Sequence, residues 1–241
     1  MSEWVTDDTL TVRFQIELRA DKGWNCCAID TMLNIPPSDI SAQFLATFEG
    51  GQNADVLFLV EGERMKAHSL ILSTRSEVFN KQLNSGMLES ASYQINVKDC
   101  DAATFRVFLQ FLYTDDLKVV ETTLKEPCTQ CIRKLLAVSH KYQASRLQLW
   151  CEDQLSNLID VEDVCVVLCQ AYLYEAKQLQ EVCLSFIKHH KDAVMTTSSF
   201  VTLSQEWPLV LLNISRYIAD VPEVRCHERD VSNVSKRKRE E

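Results

Sequence analysis

The chain has 241 residues, 46% of them hydrophobic and 24% charged, enough for one large domain or two modest ones around a substantial core. Its formal net charge of −9 argues against general nucleic-acid binding, which needs a basic surface to displace counterions. There is no run of about 18 apolar residues to span a membrane, and Met1-Ser2-Glu3-Trp4 lacks the basic and apolar regions of a secretory signal. The ten cysteines are therefore expected in a reducing compartment, where buried thiols act as small hydrophobes.

Residues 9–18 alternate apolar and polar, with Leu10, Val12, Phe14, Ile16 and Leu18 on one side. That period predicts a half-buried strand, yet no second alternating run lies nearby to pair with it. Pro36-Pro37-Ser38 sets up a helix start, with Ser38 as cap and Ile40, Phe44, Leu45 and Phe48 as one apolar stripe. Gly50-Gly51 ends that helix. Val56–Val60 and Arg64–Ala67 read as a hairpin around Glu61-Gly62-Glu63. One helix is predicted over 69–84, with Ile71, Arg75, Val78, Phe79 and Leu83 near one face. Tyr93–Val97 reads as a third short strand. Asp101 is placed to cap a helix carrying Phe105, Phe108, Leu109 and Leu112 at helical spacing.

From about residue 129 the pattern is helical. Ile132, Leu135, Leu136 and Ser139 form one stripe, and Leu147, Trp150, Cys151, Leu155 and Leu158 a second. A third helix, capped by Asp160, turns Val161, Val164, Cys165, Leu168 and Tyr172 inward. A fourth uses Leu179, Val182, Cys183, Phe186 and Ile187, and a weaker one spans roughly 208–218. The short connections predict antiparallel pairs. The tail from about 222 is polar and is expected to be disordered.

The five glycines stand at 23, 50, 51, 62 and 86, so a phosphate-cradling loop is not expected in the C-terminal two-thirds. Cys128-x-x-Cys131 is the one CxxC. Zinc needs four ligands, and the nearest downstream partners, His140 and Cys151, supply no second pair. Packing is favoured over a zinc or redox role for these cysteines, and for Cys165 and Cys169 on one helix face. His189-His190 reads as a solvated helix end. No Ser/His/Asp arrangement or carboxylate pair stands out, so no enzyme activity, cofactor or metal is expected.

Ala54-Asp55-Val56, Ala67-His68-Ser69 and Ser76-Glu77-Val78-Phe79 resemble the BTB/POZ pattern, with Met65 where the family has an aromatic and Glu77 where it usually has proline. Gly86-Met87-Leu88-Glu89-Ser90 and Phe111-Leu112-Tyr113-Thr114-Asp115 match two further landmarks. Lys141-Tyr142 and Leu147–Leu155 resemble the segment after the BTB in speckle-type POZ and plant MATH-BTB proteins. Asp7–Val12 resembles the last strand of a MATH domain, most of which is missing. The resemblance implies an α+β fold: a BTB/POZ helix cluster capped by a short sheet over 31–124, then an all-α 3-box/BACK-like extension over 125–221. Residues 1–30 are then a MATH remnant and linker, and 222–241 a tail.

The resemblance also implies partners. Met87-Leu88-Glu89 falls where cullin-binding relatives carry a φ-x-E motif, so Met87, Glu89, Tyr113 and Phe79 are the expected cullin-3 contacts, with Phe79 open to a core role instead. Ile40, Phe44, Phe48, Asp55 and Ile71 are the expected homodimer contacts, Asp55 as a buried charge near the seam or else a strand cap. His68 is expected to be structural. The implied function is a non-enzymatic adaptor in a cullin-3 ubiquitin ligase complex, promoting ubiquitination and proteasomal degradation of an unnamed substrate. The alternatives are a non-cullin scaffold in transcriptional regulation and a competitor of full-length MATH-BTB proteins, with which it could also pair. Lys236–Arg239 is a basic cluster of the kind read as an import signal, so nucleus and cytoplasm are both expected locations.

Overall fold

The computed structural model describes residues 37–84, 93–124 and 128–221, together with the backbone of residues 5–6 and 9–10. It divides into two units, Met1–Pro37 and Ser38–Glu241. In the first unit, β1 (Val5–Thr6) pairs antiparallel with β2 (Thr9–Leu10), Val5 opposite Leu10. The start of the alternating run thus does have a partner, one too short to show as alternation. Residues 11–18 of that run lie outside the described residues.

The second unit opens with α1 (Ile40–Gly50), followed by the hairpin β3 (Val56–Val60) and β4 (Glu63–Ala67). The two strands pair from Val56 opposite Ala67 to Val60 opposite Glu63. The turn between them needs positive φ at both Glu61 (50°) and Gly62 (86°), the geometry that lets a two-residue loop follow the strand twist. Next come α2 (Ser69–Arg75) and α3 (Glu77–Asn84). β5 (Gln94–Val97) then pairs parallel with β3, Leu57 beside Gln94, completing the order β4-β3-β5. A parallel neighbour requires a crossover, and the helices between the strands provide it.

The expected single helix over 69–84 is broken. Ser76 is extended (φ −143°, ψ 120°) and 3% exposed. Its hydroxyl donates to the Tyr142 carbonyl at 2.7 Å and accepts from the Phe79 amide at 3.3 Å. A serine that satisfies the first turn of α3 and ties it to a distant carbonyl outweighs helix continuation.

Next, α4 (Ala102–Thr114) is buried nearly all round, as a central helix must be. Asp101 caps it, accepting from the Thr104 amide at 2.9 Å. Phe58, Phe79, Phe105, Phe108 and Tyr142 form one aromatic cluster between sheet and helices. Phe79 stacks on Tyr142 at 4.4 Å, and Phe58 meets Phe105 edge-on at 5.0 Å.

Then α5 (Leu117–Leu124) precedes the helical extension: α6 (Thr129–Lys141), α7 (Ser145–Leu158), α8 (Val164–Leu173), α9 (Lys177–His189), α10 (Lys191–Val194), α11 (Ser198–Glu206) and α12 (Pro208–Ile218). The turns α6–α7 and α8–α9 share one construction. Gln143 and Glu175 adopt φ of 57° and 56°. Ala144 and Ala176 return their amides to Ser139 and Ala171, each at 2.8 Å. Tyr142-Gln-Ala-x-x-Leu147-Gln-x-x-Cys151 and Tyr174-Glu-Ala-x-x-Leu179-Gln-x-x-Cys183 are the matching sequences, a repeat the stripe-by-stripe reading overlooks. Other stripe assignments shift: Val182 is 40% and Leu158 38% exposed, and Asp160 caps the turn before α8 through the Asp163 amide (2.7 Å) rather than the helix itself.

Glu152 on α7 is 6% exposed. Burial pushes its carboxyl above the ordinary carboxylate range, outweighing the hydrogen bonds from the Leu179 amide and Gln148. A carboxyl whose folded value is raised stabilises fully below its unfolded value, and that contribution is lost as pH rises through the folded value. Glu152→Gln is therefore expected to raise the melting temperature at pH 7.5, with the advantage gone at pH 4. Melting curves at the two pH values check this; an equal advantage at both would contradict it.

Candidate functional site

One helix of the second unit is poorly supplied with its own core. Of the eleven residues of α1, Phe48 alone is buried. Asp39 precedes the helix and accepts from the Gln43 amide side chain at 2.8 Å, rather than Ser38 capping it. Gly51, at φ 55°, ends it and returns its amide to Thr47 and Phe48. Ile40 and Phe44, four residues apart and so on one face, are 57% and 39% exposed. Phe48, one turn further, turns inward to 5% exposure with its ring 5.0 Å from that of Tyr113. The exposed part of the expected stripe is therefore Ile40 and Phe44, and Phe48 is a core contact.

Helix α2 closes beside α1. His68 Nε2 bonds the Gln52 carbonyl at 2.7 Å, just past the end of α1. A carbonyl can only accept, so Nε2 carries the hydrogen, and Nδ1 accepts from the Tyr113 hydroxyl at 2.7 Å. That hydroxyl in turn accepts from the His68 amide at 2.8 Å. His68 is a structural clasp. Burial pushes the Tyr113 phenol up to about 12, with the His68 amide opposing and Asp55 adding. At the opposite ends, Ser41 donates to the Thr114 carbonyl at 3.3 Å, and Arg75 pairs with Asp115. Both helices are thus pinned to the C-terminal end of α4. Leu70 on α2 is 78% exposed, the most open large hydrophobic residue described.

Asp55 takes the strand-end capping role. Its Oδ1 accepts from the Ser69 amide at 2.7 Å and its Oδ2 from the Ser69 hydroxyl at 2.5 Å, closing the start of α2. Burial works to raise its carboxyl, but the Ser69 hydroxyl and amide bonds outweigh it and hold it below the ordinary range. In the single chain Asp55 is exposed and Ile71 half-buried.

The expected cullin contacts fall differently. Phe79 is fully buried against Phe58, Phe108 and Tyr142. Tyr113 is 6% exposed, its hydroxyl consumed by His68. Neither offers surface to a partner in this chain: Phe79 takes the core role left open for it, and Tyr113, expected at the surface from the family resemblance, is turned inward by its bonds to His68. Met87 and Glu89 lie outside the described residues. So does the basic cluster at 236–239.

The cysteines also need one correction. Cys151, Cys165, Cys169 and Cys183 are buried, as packing requires, but Cys128 is exposed and Cys131 half-buried. Among the described residues, no group of three or more His, Cys, Asp or Glu is placed to hold a metal. No described helix is long and apolar enough to cross a membrane.

A family model for the BTB/POZ domain matches residues 44–159, from α1 to the end of α7. The chain carries a BTB/POZ domain. Its sheet, crossover helices and buried α4 are that domain's α+β fold, the match runs on through α6 and α7, and further helices α8–α12 follow it. Similar curated proteins include the BTB/POZ and MATH domain-containing proteins 4, 6 and 5 of Arabidopsis thaliana. Protein 4 is 28% identical over 92% of this chain and 49% of its own length. Protein 6 is 26% identical over 90% and 54%, and protein 5 is 28% identical over 85% and 52%. The chain spans about half the length of these relatives. Among solved structures, the BTB domain of zebrafish PATZ1 matches at a TM-score of 0.39 and 20% identity, covering 51% of this chain and 97% of that one.

Proposed function

We propose that this chain is a non-enzymatic adaptor whose BTB/POZ domain pairs with a second copy through the α1–α2 face and carries cullin-3. The exposed apolar face carries the dimer reading: α1 has one buried residue, while Ile40, Phe44 and Leu70 stand open to solvent. Burying side chains of this kind is worth about 1.5–3 kcal/mol each, and a face that gains this way usually marks an interface. A two-fold contact would cover the same residues on both copies. The cullin reading rests on the φ-x-E resemblance at Met87-Leu88-Glu89. Methionine suits an irregular apolar groove, and glutamate adds a directional hydrogen bond.

The mechanism is positional. A dimer holding two cullin scaffolds keeps a substrate near two ubiquitin-transfer machines and raises the effective concentration of its lysines. Met87→Ala/Glu89→Ala is expected to weaken binding to a cullin-3 N-terminal fragment at least about tenfold, roughly 1.4 kcal/mol, with dimer mass and melting temperature unchanged. Calorimetric titration measures it. Unchanged affinity would remove the assigned site.

A further inference from the structure

Helix α6 begins at a pair of cysteines whose thiols the adaptor reading does not use. Cys128 is the N-cap residue, and its Sγ accepts from the Cys131 amide at 3.3 Å. Serine, threonine, aspartate and asparagine are the side chains favoured for that task. The Cys131 thiol lies 2.7 Å from Cys128 Sγ, so the two sulfurs are in direct contact. Cys128 is exposed and Cys131 half-buried, at the start of a 13-residue helix. The thiols are differentiated. The thiol–thiol contact with Cys131, then the Cys131 amide, lowers the Cys128 thiol, while the same contact and burial raise that of Cys131. Buried Cys151, Cys165 and Cys183 go the other way, and burial pushes Cys183 up to about 12. An exposed thiol of lowered pKa at a helix N-terminus, with a second thiol in reach, is the arrangement that favours thiol–disulfide exchange.

We propose that Cys128 and Cys131 form a reversible redox pair that reacts with a low-molecular-weight disulfide of the glutathione type, Cys128 attacking and Cys131 resolving. The Cys128 thiolate attacks one sulfur of the disulfide, whose S–S bond breaks and releases one thiolate. The Cys131 thiol gives its proton to that thiolate, and its sulfur attacks Cys128 Sγ. The Cys128–Cys131 bond forms, the mixed disulfide breaks, and the second small thiolate leaves, taking from water the proton that Cys128 gave up to it. Two protein thiols are oxidised by two electrons and one small disulfide is reduced to two thiols. The pair stands independently of the adaptor reading.

The test uses the full chain, fully reduced, then equilibrated in mixtures of reduced and oxidised glutathione. Free thiols are trapped with N-ethylmaleimide and the digest is read by mass spectrometry. Both cysteines fall in one tryptic peptide, residues 126–133, so closure reads as the loss of two hydrogens. The expected result is closure of this peptide at a ratio where Cys151, Cys165, Cys169 and Cys183 remain thiols, reversed by excess reduced glutathione. Cys131→Ser is expected to accumulate a Cys128–glutathione mixed disulfide, and Cys128→Ser neither product. Cys128 should also label at pH 7 at least about tenfold faster than Cys100, which burial pushes up to about 12. Failure of the peptide to close in the folded wild type overturns the proposal, as does wild type that stops at the mixed disulfide. Circular dichroism confirms that each variant retains the helical fold.

Discussion

Phe79→Ala is expected to cost about 3–5 kcal/mol of folding stability, the range for deleting a buried aromatic ring. The ring is fully buried and stacks on Tyr142 at 4.4 Å, with Phe58 at 5.5 Å and Phe108 at 6.4 Å. Tyr142 closes α6, so the ring joins the sheet side of the BTB/POZ domain to α6. The neighbouring Ser76 hydroxyl holds the Tyr142 carbonyl at 2.7 Å, which limits how far the site can collapse around the lost volume. Urea unfolding followed by circular dichroism measures the loss. Phe79→Leu, which keeps most of the volume, should lose clearly less. The fraction of Phe79→Ala that stays folded should bind a cullin-3 fragment as wild type does, because the ring supports the domain from within. A loss below about 1 kcal/mol would place the ring outside the core.

The second large effect is on assembly. Ile40→Asp/Phe44→Asp places two carboxylates on the open face of α1, and the proposed dimer would have to bury them without partners. Burying an unpaired charge costs several kcal/mol, so the dimer dissociation constant should rise at least about 100-fold. The folded chain should tolerate the change, because both side chains already face solvent at 57% and 39% exposure. Sedimentation velocity across a dilution series reads the shift. Phe48→Asp is the contrast: it should unfold the chain instead, since Phe48 packs on Tyr113. A double variant that stays dimeric would move the interface elsewhere.

Much of this was legible in the residue pattern because the relevant signals are local. A short apolar run and the glycine-containing turn after it placed the β3–β4 hairpin, Asp101 announced the start of α4, and Pro208 began α12 where the weak periodicity put it. What escaped depended on contacts distant in sequence. Ser76 breaks the 69–84 helix because of Tyr142, 66 residues away. Phe79 and Tyr113 are apolar helix positions like Phe44, and spacing alone cannot say which of three such faces meets the core. Their burial is decided by Tyr142 and His68. The exposure of Cys128 was equally hidden: a cysteine before a helix reads as packing until its place on the surface is known.

The central claim is that the chain works by holding two partners at a dimeric platform. The most direct measurement is the light-scattering mass of the purified chain, alone and mixed with a cullin-3 N-terminal fragment. The account predicts twice the 27.6 kDa chain mass alone, and two chains with two fragments after mixing. A species of 27.6 kDa whose mass is unchanged by the fragment would contradict it.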